Sequence, residues 1–547
     1  MATTHGGPDV DAVVVGAGFS GLYMLHRLRD VLGLTVRAYE AGDGVGGTWY
    51  WNRYPGARCD SESYYYSYSF SDDLQQEWVW SSKYPEQPEI LRYLDHVADR
   101  FDLRRDIRLR TRVTSAVFDE ATDSWRIGTD TGEEVTARFL ISAVGCLSAA
   151  NVPPIPGLES FEGDWYHTGA WPHAGVDFSG KRVGLIGTGS TGIQATPVIA
   201  AQAEHLTVFQ RTPNYSVPAR NFAMSDEWQA DIKANYADIR HRARNSFGGF
   251  PYAPSDKSAL EVSPEEREAT YEQLWAEEGG FKFIYGSYND LLTNEASNDT
   301  AAEFIRNKIR SIVHDPAVAE KLAPKGYPYG TKRPPIDTHY FETYNRDNVT
   351  LVDIREAPIA EITPTGIRTE AGDYELDIIV FATGFDAMTG SLLKIDMRGR
   401  EGLTLQEKWE GGPLTYLGLQ VAGFPNLFVI TGPGSPSVLT NMPGAIEQHV
   451  EWISDCIAYM RSRGLTCVEA TEEAEDAWVD HVREIADLTL FSRADSWYLG
   501  ANIPGKKRVF MPYVGGFQPY REKCDEIAAK GYEGFALSSH TAPAGSA

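Results

Sequence analysis

The sequence contains few cysteines, five among 547 residues, and none of them forms a CxxC pair. This count argues against a disulfide framework or a cysteine zinc site and favours a reducing compartment. No apolar run approaches the about 20 residues that span a bilayer. Residues 1–9 are polar and lack the basic start of a signal peptide. We therefore expect a cytoplasmic protein without a membrane segment.

Positive charge is also scarce, because 50 Lys and Arg residues face 76 Asp and Glu residues, a formal net charge of -26. A protein that binds nucleic acid needs basic patches against the phosphates, so we expect no nucleic-acid partner. Nothing in the sequence predicts a bound metal. The composition, 42% hydrophobic and 23% charged, is typical of globular proteins and allows about two to four domains.

A glycine motif near the N-terminus follows a short β-branched run and opens a helical pattern. It places glycines at Gly16, Gly18 and Gly21, where the chain turns, approaches a pyrophosphate and packs helix on strand. Ser20 lies at the start of that helix, where the N-terminus favours phosphate. Glu40 ends the next strand and can accept hydrogen bonds from a ribose diol. This unit is predicted to bind FAD.

A second glycine motif, GTGSTG, runs from Gly187 to Gly192, again between a strand and a helix. The same number of residues separates Gly16 from Glu40 and Gly187 from Arg211. The equivalent position is thus acidic in one unit and basic in the other. An acid there suits a free 2′-hydroxyl, and a base suits a 2′-phosphate. The second unit is therefore predicted to bind NADPH.

Two dinucleotide sites in one chain indicate a redox enzyme in which a flavin accepts hydride from NADPH and passes electrons on. Disulfide reductases of this architecture need a paired redox cysteine motif, which this sequence lacks. Oxygen is therefore favoured as the electron acceptor.

Residues 161–172 read FEGDWYHTGAWP. This segment resembles the fingerprint of type I Baeyer–Villiger monooxygenases, FxGxxxHxxxW followed by Pro or Asp, and it lies just before the second glycine motif as in that family. The resemblance covers about residues 10–535 and is most similar to the phenylacetone and steroid monooxygenases, with cyclohexanone monooxygenase more distant. The other matching blocks are 46–63, 209–218, 330–349, 380–387 and 496–510.

The resemblance implies that NADPH reduces FAD and that O2 then adds to form a C4a-peroxyflavin. This anion attacks a ketone carbonyl, and the tetrahedral adduct rearranges to an ester or lactone. Arg333 matches the essential cation of the family, and a guanidinium holds an anion without protonating it. Asp60 matches the carboxylate that pairs with this arginine and orients it.

The resemblance also implies cofactor contacts. Lys332 would hold the 2′-phosphate together with Arg211 and Thr212, and Trp497 lies in a block similar to the mobile loop that closes over NADP. The loop 432–445 matches the loop that shapes the ketone pocket. The expected contacts of the second motif are Gly187, Thr188, Gly189, Ser190, Thr191, Gly192 and Gln194. The residues expected near the flavin are Thr48, Trp49, Tyr50, Trp51, Arg58, Cys59, Asp60, Tyr66, Val113 and Met442.

Two other functions stay open at this point. A flavin monooxygenase that oxidises amine or sulfide heteroatoms would share the front half of the fingerprint, but it usually lacks Trp171 and Pro172. A non-catalytic flavin-binding redox sensor would tolerate the loss of Arg333 or Asp60, and both are present. For His167 of the fingerprint, a role in coupling the domains is favoured over direct chemistry.

The expected fold class is α/β, with two Rossmann-like dinucleotide-binding domains for FAD and NADP and a helical insertion in the NADP domain. The FAD-binding domain is predicted over residues 1–150 and 385–547. The NADP-binding domain takes residues 151–220 and 326–384. The long polar segments of residues 221–325 predict the helical insertion.

Overall fold

Two separate sheets, each built around one of the glycine motifs, organise the chain in the computed structural model. The structure describes residues 7–253 and 255–539. In the first sheet, the strand Val10–Val15 lies between two parallel neighbours, Val36–Tyr39 and Glu134–Ser142. The first half of this third strand pairs with Ser124–Thr129, and its second half pairs with Leu427–Val429.

The first sheet has eight strands and is mixed rather than purely parallel. Along the sheet the order is Asp396–Arg398, Val113–Asp119, Ser124–Thr129, Glu134–Ser142, Val10–Val15, Val36–Tyr39 and Ile107–Arg108, with Leu427–Val429 beside Glu134–Ser142. The antiparallel excursion over residues 113–142 was not predicted from the sequence. Along these antiparallel strands, side chains alternate between buried and exposed. This alternation is a weaker sequence signal for a strand than the continuous apolar run before Gly16.

The second sheet contains five parallel strands. Their order is Val349–Asp353, His205–Gln210, Arg182–Ile186, Ile378–Phe381 and Asp164–His167. The fingerprint segment thus supplies an edge strand. A three-stranded antiparallel sheet flanks this unit, with strands Ile359–Thr363, Gly366–Thr369 and Gly372–Glu375. Two short ladders pair Val217–Pro218 with Ile336–Asp337 and Cys467–Ala470 with Phe535–Ser538.

Between residues 221 and 325 the described chain forms helices and loops but no strand, so the predicted helical insertion is confirmed. Its helices are Asp226–Arg244, Pro264–Gln273, Lys282–Tyr285, Glu295–Ile312 and Pro316–Leu322. Four of them begin at a residue whose side chain accepts a backbone N–H of the first turn; these are Ser225, Ser263, Asn294 and Asp315. Such caps satisfy donors that the helix leaves free, which explains how these polar segments form discrete helices.

The other helices pack on the two sheets. Those beside the first sheet are Phe19–His26, Thr48–Trp51, Asp72–Glu77, Gln87–Arg100, Gly390–Leu393, Leu405–Lys408, Met442–Ser462, Glu472–Asp487 and Phe517–Ala529; those beside the second are Ser190–Gln202 and Tyr340–Thr343. Within the described ranges, no helix is both long and apolar enough to cross a bilayer. The fold class predicted from the sequence is confirmed, whereas the domain boundaries stay a prediction.

Two crossover segments, residues 143–153 and 382–388, connect the sheets and run side by side. Their backbones hydrogen-bond from Asn151 N to Gly384 O at 3.0 Å and from Asp386 N to Ala149 O at 2.8 Å. A third bond joins Met388 N to Cys146 O at 2.9 Å. Because the chain passes between the two units here, the relative orientation of the sheets depends on these paired segments.

A buried histidine joins the end of the first sheet to a C-terminal helix. His449 is fully buried; its Nδ1 accepts the Thr431 N–H at 2.9 Å, and its Nε2 lies 2.9 Å from the Tyr520 hydroxyl. That hydroxyl donates to the Leu417 carbonyl at 2.6 Å, so it accepts from the imidazole. This arrangement requires a neutral ring with its proton on Nε2. Burial accordingly lowers the pKa of His449 to about 3.

We predict that His449 makes the protein acid-sensitive. Between pH 6.5 and about 3 the unfolded imidazole binds a proton that the folded one does not, so stability falls with falling pH by about 1.4 kcal/mol per unit. At pH 7, His449→Gln should lose about 1–3 kcal/mol, because a glutamine replaces the two hydrogen bonds imperfectly. Its melting temperature should fall less steeply with acid than that of wild type. The control is His314→Gln, which replaces an exposed histidine. If the melting temperature fell equally steeply with pH in wild type and in both variants, the prediction would be contradicted.

Candidate active site

The first glycine loop is packed so tightly that its glycines are required by the fold itself. Gly16 has a φ of +108°, and a Cβ there would lie 2.5 Å from the Ala143 carbonyl oxygen. A Cβ on Gly21 would lie 1.8 Å from the Gly16 carbonyl oxygen. The helix that follows Gly18 has no side-chain cap, and Ser20 lies in its first turn. Its free N–H groups suit a phosphate.

Glu40 lies beside this loop, as predicted from its position at the end of the second strand. Its carboxylate is buried and accepts the Ala17 N–H at 2.9 Å and the Gly42 N–H at 2.8 Å. Each carboxylate oxygen accepts more than one hydrogen bond, so capacity for a ribose diol remains. The backbone therefore fixes this acid next to the turn where the sequence predicts the pyrophosphate.

In the second glycine loop, two glycines have no room for a side chain and one does. Gly187 has a φ of +112°, and a Cβ on Gly192 would lie 2.1 Å from the Gly187 carbonyl oxygen. Gly189, by contrast, has an ordinary φ of -81°, and a Cβ there would meet nothing within 4 Å. The protein itself leaves this space free. A dinucleotide pyrophosphate fits such a cradle at the start of a helix.

Of the other residues predicted around this loop, some lie at the loop itself and one contacts the first unit. Ser190 and Thr191 open the helix Ser190–Gln202, and the Thr188 hydroxyl donates to the Thr212 carbonyl at 2.9 Å. The Gln194 amide instead donates to the Arg58 carbonyl at 3.1 Å and accepts from the Tyr54 hydroxyl at 2.8 Å. In this structure Gln194 thus joins the second unit to the first.

Two cations lie next to the second loop without a carboxylate partner. No described acidic group lies within ion-pair distance of Arg211 or Lys332, although most basic side chains of this acidic chain are paired. Burial and, after it, the charge of Arg211 lower the pKa of Lys332 to about 8. Its ammonium lies 4.5 Å from the centre of the Tyr327 ring. An exposed Arg211 and a half-buried Lys332, both without a carboxylate partner at a predicted 2′-phosphate position, fit NADPH.

Arg333 and Asp60, which are far apart in the sequence, form a two-pronged ion pair. Arg333 Nε donates to one carboxylate oxygen at 2.7 Å and Nη2 donates to the other at 2.8 Å. Nη1 donates to the Val438 carbonyl at 2.5 Å. Burial lowers the pKa of Arg333, but the charge and hydrogen bonds of Asp60 outweigh burial and raise it. Two N–H groups of the guanidinium are left for a further acceptor.

Aromatic side chains enclose this guanidinium, and the sequence did not predict them. The guanidinium carbon of Arg333 lies 4.8 Å from the centre of the Phe281 ring. Tyr285 is half-buried and Tyr498 is buried nearby. Removal from water raises the pKa of each phenol, and the charge of Arg333 offsets part of that rise. Gly279 and Gly280 directly precede Phe281, and both have a positive φ. A glycine pair in the sequence indicates such a turn, but it does not indicate which ring contacts Arg333.

The stretch predicted near the flavin forms the short helix Thr48–Trp51, directly after a turn at Gly47 with a φ of +53°. Trp49 is buried and its indole N–H donates to the Tyr66 hydroxyl at 3.1 Å. Tyr50 donates its hydroxyl proton to Asp43. A Cβ on Gly47 would lie 2.9 Å from Gly18, so this stretch is close to the first glycine loop.

The other residues predicted near the flavin have packing roles in the structure. Arg58 pairs with Glu86 at 2.8 Å, and burial raises the pKa of the Cys59 thiol. Val113 is buried in the core of the first sheet. Met442 begins the helix Met442–Ser462 and packs between two apolar clusters.

An apolar cavity adjoins the arginine site at the loop 432–445. Leu439 and Thr440 line it, immediately after Val438, whose carbonyl holds Arg333. Tyr285 forms a wall towards the guanidinium. The other lining residues are Phe247, Leu292, Phe491, Tyr513, Val514 and Gly516. The cavity measures only about 10 Å³, which is room for a single water, so an organic molecule fits beside Arg333 only after these side chains move apart.

His167 of the fingerprint lies at the crossover segments rather than at the arginine. Its Nδ1 accepts the Gly169 N–H at 3.0 Å, and its ring meets the Phe385 ring edge-on at 6.0 Å. Burial lowers its pKa, while the backbone of Gly384 and Asn151 acts in the opposite direction. Trp171 is buried against Tyr166. This placement favours a structural coupling role for His167.

No group of three or more His, Cys, Asp or Glu residues in the described chain is arranged to hold a metal ion. The site therefore contains two phosphate cradles, two cations without a carboxylate partner, and one half-buried arginine beside a small apolar cavity. Together they can bind two dinucleotides and hold a developing negative charge in a site shielded from water.

Comparisons with known proteins agree with this geometry. Residues 13–239 match the family described as pyridine nucleotide-disulphide oxidoreductase. The chain is 51% identical over 527 residues to a Baeyer-Villiger monooxygenase of Pseudooceanicola batsensis, covering 96% of both proteins. It is 47% identical over 530 residues to a phenazine N-monooxygenase of Lysobacter antibioticus, covering 97% of both. The solved structure of an oxidized steroid monooxygenase bound to NADP is 58% identical, with a TM-score of 0.93 over 97% of this chain and 100% of that one.

We predict that Gly189 is required for the dinucleotide but not for the fold. Gly189→Ala should unfold within about 1 kcal/mol of wild type, because the added methyl group meets no protein atom. It should weaken NADP+ binding at least about tenfold, because the methyl group occupies the phosphate cradle and displaces its hydrogen bonds. Thermal unfolding and calorimetric titration measure the two effects.

The matched control is Gly192→Ala. Its methyl group would lie 2.1 Å from a backbone oxygen, so this variant should lose about 1–3 kcal/mol of stability. If Gly189→Ala bound NADP+ as tightly as wild type, the cradle would not be the phosphate site.

Proposed function

The chain belongs to the Baeyer–Villiger monooxygenases, and within that family we propose that Arg333, oriented by Asp60, is the cation that stabilises negative charge during oxygen insertion. The enzyme is an NADPH-dependent flavoprotein that converts ketones to esters or lactones with O2. When bound, FAD accepts hydride from NADPH and activates O2 for insertion beside the ketone carbonyl. The half-buried, two-pronged Arg333–Asp60 pair beside the apolar cavity carries the proposal.

The role of Arg333 follows from its chemistry and its surroundings. A guanidinium with a raised pKa stays protonated at every working pH and attracts an oxyanion without giving it a proton. Asp60 and the Val438 carbonyl fix three of its N–H groups, so the remaining donors have defined directions. Donors fixed in advance stabilise charge at the moment of reaction, because they need no reorganisation.

The apolar cavity supplies the second requirement, which is the exclusion of water. Phe281 covers one face of the guanidinium, and Tyr285, Leu439 and Phe491 surround the adjoining space. In such surroundings the attraction between Arg333 and an oxyanion is screened less than in water. The ketone is proposed to lie here with its carbonyl oxygen towards Arg333 and its hydrocarbon part towards Phe247 and Leu292.

The cofactor roles of the remaining residues belong to the same proposal. Gly16, Gly18 and Ser20 would hold the FAD pyrophosphate, and Glu40 would accept from its ribose. Arg211 and Lys332 would bind the 2′-phosphate of NADPH, which their unpaired charges support. We also propose a cytoplasmic location, which the five free, buried cysteines support.

A second activity, oxygenation of nitrogen or sulfur, is favoured by one observation. The relative named as a phenazine N-monooxygenase shares 47% of its residues with this chain over nearly the full length of both. A heteroatom substrate attacks an electrophilic oxygen and builds no oxyanion beside a carbonyl, so it depends less on Arg333. The two activities are therefore separable by one substitution.

We predict that Arg333→Ala lowers ester formation from ketones at least about 100-fold, because the oxyanion loses its charged donor. Arg333→Lys should not restore it, because a lysine cannot form the two-pronged pair with Asp60. NADPH oxidation should continue and produce hydrogen peroxide. Products from phenylacetone, cyclohexanone, a steroid ketone and thioanisole, identified by mass spectrometry, measure the effect.

The control for this experiment is Arg346→Ala, which removes an exposed guanidinium from the same region. It should leave ester formation unchanged. If the Arg333→Ala enzyme still formed esters at the wild-type rate, the role given to Arg333 would be wrong. If wild type gave the sulfoxide alone, heteroatom oxygenation would become the main activity.

We also predict that NADP+ binding weakens above pH 8. Lys332, with its pKa of about 8, loses its charge as the pH rises from 7 to 9.5. NADP+ affinity should then fall about tenfold, because a charged hydrogen bond to the 2′-phosphate is lost. Affinity for NAD+, which lacks this phosphate, should change little. Fluorescence titration at both pH values measures these constants.

Lys332→Arg provides the sharpest comparison, because its guanidinium stays charged across this range. Its NADP+ affinity should not depend on pH, whereas Lys332→Ala should bind weakly throughout. An unchanged pH dependence in Lys332→Arg would assign the effect to another group.

A further inference from the structure

A second, fully buried ion pair lies two residues along the chain from Asp60. The Lys83 ammonium lies 3.3 Å from a Glu62 carboxylate oxygen, and the two side chains are 7% and 5% exposed. The hydroxyl of Tyr64 also donates to the Glu62 carboxylate, and so does that of Tyr252 at 3.3 Å. Because burying two charges stabilises a fold little, stability alone does not account for this pair.

The backbone around Asp60 is bonded to a neighbouring stretch of chain on both sides of that residue. Cys59 N donates to the Pro85 carbonyl at 3.3 Å, and Ser63 N donates to the Lys83 carbonyl at 2.8 Å. The buried ion pair links the same two stretches through their side chains. The position of the Asp60 carboxylate therefore depends on where the second stretch lies.

The Lys83 ammonium also holds a turn of the helical insertion, because it donates to the Glu278 carbonyl at 3.2 Å. Three residues later comes Phe281, whose ring lies over the guanidinium of the site. The turn between them is tightly packed, since a Cβ on Gly280 would lie 2.3 Å from the Tyr84 hydroxyl. One ammonium thus bonds both to the stretch that carries the carboxylate partner of the arginine and to the turn that carries its aromatic cover.

The carboxylate and the ring together define the plane of the Arg333 guanidinium. Asp60 accepts from Nε and Nη2, and the Phe281 ring covers one face of the plane. Because a guanidinium is planar, a shift of either contact would turn it and redirect the two N–H groups that remain free. A donor that must meet a developing charge loses much of its effect when it is displaced by about 1 Å.

We propose that Lys83 and Glu62 are positioning residues for oxygen insertion. Their buried ion pair keeps the carboxylate and the ring that flank Arg333 at a fixed separation, and so sets the direction of its two free N–H groups. The inference rests on the proposed role of Arg333. It assigns a function to a charge pair that is not itself among the described contacts of the guanidinium.

The test compares two buried ion pairs in the FAD-loaded enzyme. Lys83→Met breaks the pair described here, and Glu62→Gln is a milder change, because its amide oxygen still accepts hydrogen bonds. Lys408→Met is the matched control: Lys408 lies 2.7 Å from Glu475, their side chains are 13% and 0% exposed, and this pair joins two helices beside the first sheet. Ester, NADPH consumed and hydrogen peroxide are measured over a range of ketone concentrations, together with the melting temperature.

Lys83→Met and Lys408→Met should both melt at a lower temperature than wild type, because each leaves a buried carboxylate unpaired. Only Lys83→Met and Glu62→Gln should lower kcat for ester formation, about tenfold and with KM for the ketone within about twofold, while more of the NADPH ends as hydrogen peroxide. The ester formed per NADPH does not depend on the amount of folded enzyme, so a loss of folding would not lower it. Adding Lys83→Met to Arg333→Ala should reduce ester formation no further, because no guanidinium is left to position.

A wild-type yield of ester per NADPH in Lys83→Met and Glu62→Gln would overturn the proposal, and so would an equal loss of yield in Lys408→Met. If Lys83→Met does not fold, the yield of Glu62→Gln decides. The Arg333→Ala enzyme separates this result from the proposed function. Loss of esters there, with a normal yield in Glu62→Gln, rejects only the positioning role, whereas retained esters there reject the role of Arg333 and the positioning role with it.

Discussion

The ion pair between Arg333 and Asp60 is the interaction around which the site is organised. Asp60 follows the first glycine unit, and Arg333 follows the helical insertion, so the pair holds together segments that the chain separates widely. Removing two charges from water costs free energy, which is recovered only when the geometry is good and the other polar atoms are bonded. The Val438 carbonyl accepts a third hydrogen bond and the Phe281 ring covers one face, which leaves two N–H groups for a further acceptor. The insertion, the loop 432–445 and both dinucleotide units therefore meet at one guanidinium.

The secondary structure around the glycine motifs was largely predictable from the sequence. The strands Val10–Val15 and Arg182–Ile186 directly precede the two glycine motifs as expected, because a short apolar run that ends at a glycine turn allows few alternatives. The antiparallel strands of residues 113–142 were not predicted, since only one face of each strand is buried. The resulting alternation of apolar and polar residues is short and irregular. The helices of the insertion were predicted as a group, but their caps became evident only in the structure.

The site was predictable to a smaller extent, and for a physical reason. The contrast between Glu40 and Arg211 was visible because equivalent positions in two repeated units carry opposite charges. The partnership of Arg333 and Asp60 was implied by a family resemblance, since no spacing rule relates such distant residues. The contacts of Arg333 with Phe281, Tyr498 and the Val438 carbonyl were not predicted, because packing and backbone contacts do not require a particular residue type.

The charge distribution explains why the cofactor contributes to the structure as well as to the chemistry. This chain carries a net charge of -26, yet Arg211 and Lys332 lie together without an acidic partner, and burial together with Arg211 lowers the pKa of Lys332. The repulsion between them is a cost that the protein bears when the phosphate is absent. A 2′-phosphate bound as proposed would relieve it, and any ligand that binds the folded state alone also stabilises that state. Because Lys332 directly precedes Arg333, the proposed contact with the 2′-phosphate would also steady the backbone of the arginine on which oxygen insertion is proposed to depend.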